Sequence, residues 1–262
     1  MQIIEQKIEG KLGDPARCED GLFVGEHFIA VVDGTTNKEH LGPSDKPGGL
    51  LAREAICALL ADLAPDVTCF DAVAQITACR AALGGQHKAT PRAVAIIYSR
   101  HRKEIWSIGD CQCLINGVRY AEEKAIDGVL SACRSAVIEM LLAAGETEAS
   151  LMQEDKARAQ ILPMLERQHL LENTVGRYGY PVLNGQPIPR EYIKCYKVTQ
   201  GAEVVLASDG YPVLCHTLAE SEAALAKLKK SDPLCYKQYV STKGFRADGG
   251  SFDDRTYVRF IV

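Results

Sequence analysis

The chain has 262 residues, 47% of them hydrophobic and 24% charged, with a formal net charge of −4. That length buries a sizeable core without a disulfide or structural metal, and a mildly acidic chain with no block of like charges lacks the footprint of a nucleic-acid binder. No apolar run approaches the roughly 20 residues of a membrane span, and Met1-Gln2-Ile3-Ile4-Glu5 carries charge from the start, so a soluble protein without a secretory segment is expected.

In chain order, Phe28-Ile29-Ala30-Val31-Val32 predicts a strand closed by Asp33-Gly34. Two helices follow. In 51–63, Ala52, Ile56, Leu59, Leu60 and Leu63 make an amphipathic stripe; Thr68, with Asp71 three residues on, starts a helix that runs to Leu83 and stops at Gly84-Gly85. Strands are predicted at 93–98 and Ile105-Trp106-Ser107-Ile108, joined by a turn over 100–103 and closed by Gly109-Asp110. Further helices are expected at 122–144 and 149–171, the second kinked or broken by Pro163. The apolar Val129, Ile138, Leu141 and Leu142 are expected to pack on the sheet beneath, and Tyr178 to Gly185 reads equally as a loop near a cleft or as ordinary turn chemistry. Val204-Val205-Leu206-Ala207-Ser208 is a strand closed by Asp209-Gly210, 219–230 a helix, and 256–262 a final strand after Asp253-Asp254. Strands and helices come in groups, which favours antiparallel sheets covered by helices over a parallel βαβ fold. No repeat or linker divides the chain, so one domain over 1–262 is expected.

The ten cysteines are scattered, without a CxxC pair, and Cys111 and Cys113 fall on one face of a strand. They read as reduced thiols of a cytoplasmic protein.

One Asp at a strand end is an ordinary turn residue. Three such ends, with Asp253-Asp254 before a strand and Glu19-Asp20 before the first, are a pattern. Gathered on one rim, these carboxylates repel each other unless a cation neutralises them. An oxygen-only ligand set selects Mg²⁺ or Mn²⁺ over zinc. The six histidines, His27, His40, His87, His101, His169 and His216, lack zinc-site spacing. Phosphate-loop, dinucleotide and nucleophile-elbow motifs are absent from the sequence, and Ser241-Thr242-Lys243 has nothing beside it to make a nucleophile.

The ordered set Arg17-Cys18-Glu19-Asp20, Val31-Val32-Asp33-Gly34, Ile108-Gly109-Asp110, Ala207-Ser208-Asp209-Gly210 and Gly250-Ser251-Phe252-Asp253-Asp254-Arg255-Thr256 resembles the metal-dependent protein phosphatases of the PPM, or type 2C, family, as a divergent bacterial-type member. The resemblance spans residues 17 to 256. It implies an α+β fold, a four-layer α-β-β-α sandwich of two antiparallel sheets flanked by helices, and hydrolysis of phosphoserine or phosphothreonine in a protein substrate. It also implies two Mn²⁺ or Mg²⁺ ions. Asp33 would bridge them, with Gly34 offering its carbonyl, Asp209 and Asp253 completing the ligands of the first ion, and Glu19 serving the second ion directly or through water. Asp20 would orient metal-bound water, and Asp110 would stand where relatives hold a looser third ion. A water bridging the metals would attack phosphorus in line.

The sequence departs from that pattern at three places. Thr35 stands where many relatives have a histidine general acid, with His40 the nearest substitute. Arg17, the implied phosphate ligand, lies two residues before Glu19 rather than four, and Val213 replaces an Asp four residues past Asp209, weakening a third metal. The competing readings are a non-catalytic phosphatase-like module that docks a partner, and a partner-binding helical hairpin over 122–171.

Overall fold

The computed structural model describes residues 1–36, 46–82, 91–248 and 250–262. His40, Leu83 and Gly84-Gly85 lie outside them. Among the described residues, ten strands form two five-stranded sheets in which every pairing is antiparallel. One sheet has the order β1 (Gln2–Glu9), β10 (Arg255–Ile261), β9 (Glu203–Ala207), β6 (Gln112–Ile115), β7 (Val118–Ala121). The other runs β2 (Gly21–Val24), β3 (Phe28–Gly34), β4 (Ala93–Ser99), β5 (Glu104–Ile108), β8 (Ile193–Lys197).

The central strands are apolar on both faces because both faces are covered. One face of β3, β4 and β5 (Phe28, Ala30, Val32, Ala95, Ile97, Trp106) packs under α1 (Gly48–Asp62) and α2 (Cys69–Ala82) through Ala52, Ile56, Leu60 and Ile76. The opposite face (Ile29, Val31, Ile96, Tyr98) meets Val204, Leu206, Val258 and Phe260 of the other sheet. Cys111 and Cys113 share that inter-sheet core, and all ten cysteines are free thiols. On the far side of the β1–β10–β9–β6–β7 sheet, Leu114, Val205 and Tyr257 pack with Tyr211, Leu214 and Leu218 at the start of α6 (Leu218–Ser231). The expected α-β-β-α layering results. No described helix is long and apolar enough to cross a membrane.

The stretch from 122 to 171 differs from expectation. β7 occupies residues to Ala121, so α3 begins later, at Ala125, and runs to Ala143. The next helix divides into α4 (Glu148–Gln153) and α5 (Lys156–Arg167) at Glu154-Asp155, where the Asp155 carboxylate caps α5 by accepting from the Arg158 amide at 2.8 Å. Pro163 lies inside α5 without breaking it. Pro163 and Ala159, whose carbonyl loses its donor, are both exposed, so that carbonyl is open to solvent. Nor does this group lie on a sheet: Ile138 packs with Leu151, Ala157, Leu234 and Tyr236, while Val129 is exposed.

One polar knot ties α6 to the β1–β10 edge. Glu222 accepts both prongs of the Arg255 guanidinium at 2.9 and 3.1 Å, the Tyr211 hydroxyl at 2.6 Å, and the Lys7 ammonium at 3.1 Å. Burial raises its carboxyl pKa, but these partners outweigh burial and bring it from 4.5 to about 2. A depressed carboxylate contributes stability that is complete above its unfolded value and lost as pH falls through the folded one. Glu222→Gln is therefore expected to cost about 2 kcal/mol in urea denaturation at neutral pH. The deficit against wild type should shrink as pH falls from about 4.5 towards 2; a deficit independent of pH would contradict the assignment.

Candidate metal centre

Antiparallel register carries every predicted acid to one rim. Asp33 is the penultimate residue of β3, opposite Val94, and Gly21, just after Glu19-Asp20, pairs with Val32 beside it. Ile108 pairs with Ala95, so Asp110 leaves β5 at the same end. Tyr257 pairs with Ala207, which brings Asp209 beyond β9 next to Asp253-Asp254 before β10. Gly109 makes the turn to Asp110 at φ +98°, where an added Cβ would lie 2.2 Å from Val94 Cγ1. Asp33, Gly34, Thr35, Asp110, Asp209 and Asp253 line a single cleft of about 580 Å³.

Asp20 is buried just behind, where its Oδ2 accepts the Thr256 hydroxyl at 3.0 Å. Glu19 is buried too, its Oε2 accepting from Thr36 Oγ1 at 2.5 Å and Lys11 Nζ at 3.4 Å. Asp254 stitches the ends of the chain together: its carboxylate accepts the amides of Lys11 at 2.7 Å and Glu19 at 3.1 Å. Gly34 is buried against the backbone carbonyls of Glu19 and Gly49.

The charges act on one another. Asp33 is pushed well above the ordinary carboxylate range by burial and then by Asp20, Asp110 and Asp253. Asp209 is pushed the same way by burial and by Asp33, Asp253 and Asp110. Burial also raises Asp20, against a hydrogen bond from Ser208 and with the help of Asp253, Asp254 and Asp209. Asp253 is the exception: burial raises it, but the Lys243 and Lys11 ammoniums outweigh that and hold it below its usual value.

Three lysines thus stand among the acids. Lys243 Nζ pairs closely with Asp253. Lys11 Nζ reaches Asp254 at 3.1 Å, Glu19 at 3.4 Å and Asp253 at 3.6 Å, and Lys124 Nζ meets Asp110 at 2.8 Å. With the ammoniums in place, no three Asp, Glu, His or Cys side chains among the described residues stand in position to grip an ion. The donor chemistry nevertheless suits one. Glu19 Oε1 and Asp110 Oδ1 are buried with no hydrogen-bond partner among the described residues, and orphaned anionic oxygens in an all-oxygen cluster fit a hard divalent cation.

Arg17 does not join the group. It is exposed at the end of a single 3₁₀ turn, Pro15–Arg17, and lines neither the cleft nor the neighbouring cavity. The next residue, Cys18, is buried, so the short spacing to Glu19 turns Arg17 outward. Among the described residues, the cations lining the cleft are instead Arg119, Lys124, Arg158 and Lys243, none of which lies in a motif of the sequence. Thr35 sits at the cleft with its amide on the Arg92 carbonyl, and Val213 is exposed. Of the two readings of the 178–185 stretch, Tyr180 and Val182 favour the loop at the cleft, and α3 and α5 contribute Asp127, Ser131 and Leu165 to its wall.

No family model and no curated protein matches the chain. Among solved structures it is similar to the Mycobacterium tuberculosis serine/threonine phosphatase PstP/Ppp, at 17% identity over 99% of this chain and 98% of that one, with a TM-score of 0.50. It is similar to the catalytic domain of the serine/threonine protein phosphatase PstP in complex with 2 manganese ions, at 17% identity over 97% and 95% of the two chains, with a TM-score of 0.51. A variant of a bacterial serine phosphatase gives the same TM-score of 0.51 at 10% identity, over 98% and 97%. Such identities speak to architecture rather than activity. The chain has the fold of the PPM-type, or type 2C, serine/threonine phosphatases.

Proposed function

We propose that this chain is a divalent-metal-dependent phosphatase acting on phosphate monoesters, with phosphoserine or phosphothreonine of a protein as the substrate class. The observation that carries the reading is the convergence of Asp33, Asp209, Asp253 and Asp110 from both sheets on one rim, with Asp20 behind it, where burial and mutual repulsion leave Asp20, Asp33 and Asp209 short of positive charge. Likeness in fold to phosphatases, one of them solved with manganese, supports it. Asp33, Asp209 and Asp253 would hold Mn²⁺ or Mg²⁺, with the Gly34 carbonyl and Glu19 as further oxygen donors and Asp110 at the edge.

The bound cations would supply Lewis-acid activation of water and neutralise charge developing on the phosphoryl group. The chain's own part is to position. Asp20, fixed by Thr256 and Ser208, accepts a proton or orients a water beside Asp33 and Asp209. Thr35 cannot protonate a leaving alkoxide near neutral pH, so that proton comes from solvent. The test is p-nitrophenyl phosphate turnover by the intact chain with Mn²⁺ and then with excess chelator. Turnover that ignores the chelator would defeat the proposal.

One observation favours a second reading, a non-catalytic module: the ammoniums of Lys243 and Lys11 already neutralise Asp253. Calorimetric Mn²⁺ uptake without turnover on any phosphopeptide would support that module.

A further inference from the structure

A phosphatase site needs a cation for the phosphoryl oxygens, and Arg17 points away from the cleft. The candidates at the cleft differ in how they are engaged. Arg119 Nε donates to Gln112 Oε1 at 3.0 Å, Lys124 is drawn onto Asp110, and Arg158 donates to the Thr242 carbonyl. Lys243 pairs with Asp253, a residue proposed as a metal ligand. The pair lies between two hollows: Lys243 and Asp253 line both the cleft and a neighbouring cavity of about 510 Å³.

The backbone that carries Lys243 is held on both sides. Arg134 Nη1 donates to the carbonyls of Leu234 at 2.8 Å and Ser241 at 3.0 Å, and the Phe245 amide donates to Pro233 at 2.8 Å. A Cβ on Gly244 would come within 2.8 Å of the Leu234 carbonyl oxygen, so that segment has no room to slide. The side chain is different, a flexible four-carbon stem with an ammonium at its tip. The Lys243 ammonium would be repelled at short range by a divalent cation held on Asp253, and its stem would let it leave without moving the loop. Once released it remains tethered at the cleft, where the strongest available partner is a phosphate dianion.

Building on the phosphatase reading, we propose that Lys243 is an exchangeable counter-ion of Asp253, displaced by the entering divalent cation and then bound to the substrate phosphate in place of an arginine. The exchange couples metal loading to assembly of the phosphate site: the group that blocks one is released to build the other.

The test uses the full chain and Lys243→Met, with Lys243→Gln as a second uncharged variant and Lys243→Arg as the charge-keeping one. In calorimetric titration, both uncharged variants should bind Mn²⁺ about tenfold more tightly than wild type, for loss of one competing ion pair. At saturating Mn²⁺ they should show a KM for p-nitrophenyl phosphate and an inhibition constant for inorganic phosphate each about tenfold weaker, for loss of one charge-assisted contact. Lys243→Arg should restore phosphate inhibition. A merely structural lysine would weaken both ligands together, so opposite signs are the signature. Unchanged or weaker Mn²⁺ binding in the uncharged variants overturns the proposal, and so does unchanged phosphate inhibition. A wild-type chain that takes up no Mn²⁺ sinks the phosphatase reading itself, whereas normal wild-type behaviour with unmoved variants sinks only the role of Lys243.

Discussion

Asp209→Asn should lower Mn²⁺-dependent turnover of p-nitrophenyl phosphate by about 10³-fold or more, roughly 4 kcal/mol of transition-state stabilisation. An amide offers one neutral oxygen where a carboxylate offers charge, and the position stands among Asp33, Asp253 and Asp110. The same change should make the metal-free chain more stable. Burial and like charges raise the Asp209 pKa in the folded state. A raised carboxylate costs stability above its unfolded value, and the cost vanishes as pH falls below 3.8. Metal-free Asp209→Asn should therefore melt above metal-free wild type at neutral pH, with the gap closing on acidification. Added Mn²⁺ should raise the melting temperature of wild type far more than that of the variant. A variant that keeps its turnover, or is stabilised by Mn²⁺ as much as wild type, refutes the role given to Asp209.

Gly210→Ala should act on the same centre with the opposite effect on the metal-free fold. A Cβ there would lie 2.0 Å from the Asp254 carbonyl oxygen and 2.8 Å from Arg255 Cβ. The obstacle is backbone, which cannot swing aside as a flexible side chain can. The β9 and β10 ends must separate by about 1 Å, and a displacement of that size can cost about 10²-fold in rate. The overpacking itself should cost about 2 kcal/mol. Thermal melts and Mn²⁺-dependent kinetics check both. Wild-type values for this variant would show that the close approach of Gly210 to Asp254 does not set the rim.

The sequence made the rim legible because its acids sit beside strands that both sheets bury. Strands such as β4, buried along its whole length, read directly as apolar runs. β1 is not legible, since Gln2-Ile3-Ile4-Glu5-Gln6-Lys7-Ile8-Glu9 mixes charge into an edge strand and leaves Ile4 and Ile8 exposed. β7 and β8 lie at sheet edges and carry polar residues for the same reason. Pro163 does not mark the break, because proline propensity says nothing of which side of a helix faces water, whereas Asp155, eight residues earlier, caps α5. At the site, the carboxylates belong to short local patterns, whereas the lysines do not. Lys11 and Lys243 reach Asp254 and Asp253 through the path of the chain, and a lone lysine in a loop carries no local mark.

The two sheets contribute different acids: Asp33 comes from β3 of one, Asp209 and Asp253 flank β9 and β10 of the other, and a dry layer of Ile29, Val31, Leu206 and Phe260 lies between them. A cation shared by those acids would act as a cross-link between halves of the molecule, and its binding energy would add to the free energy of prying them apart. Amide hydrogen exchange should then slow in β3 and β9 together on Mn²⁺ addition, rather than in one loop. Ion release and global opening would merge into a single cooperative event.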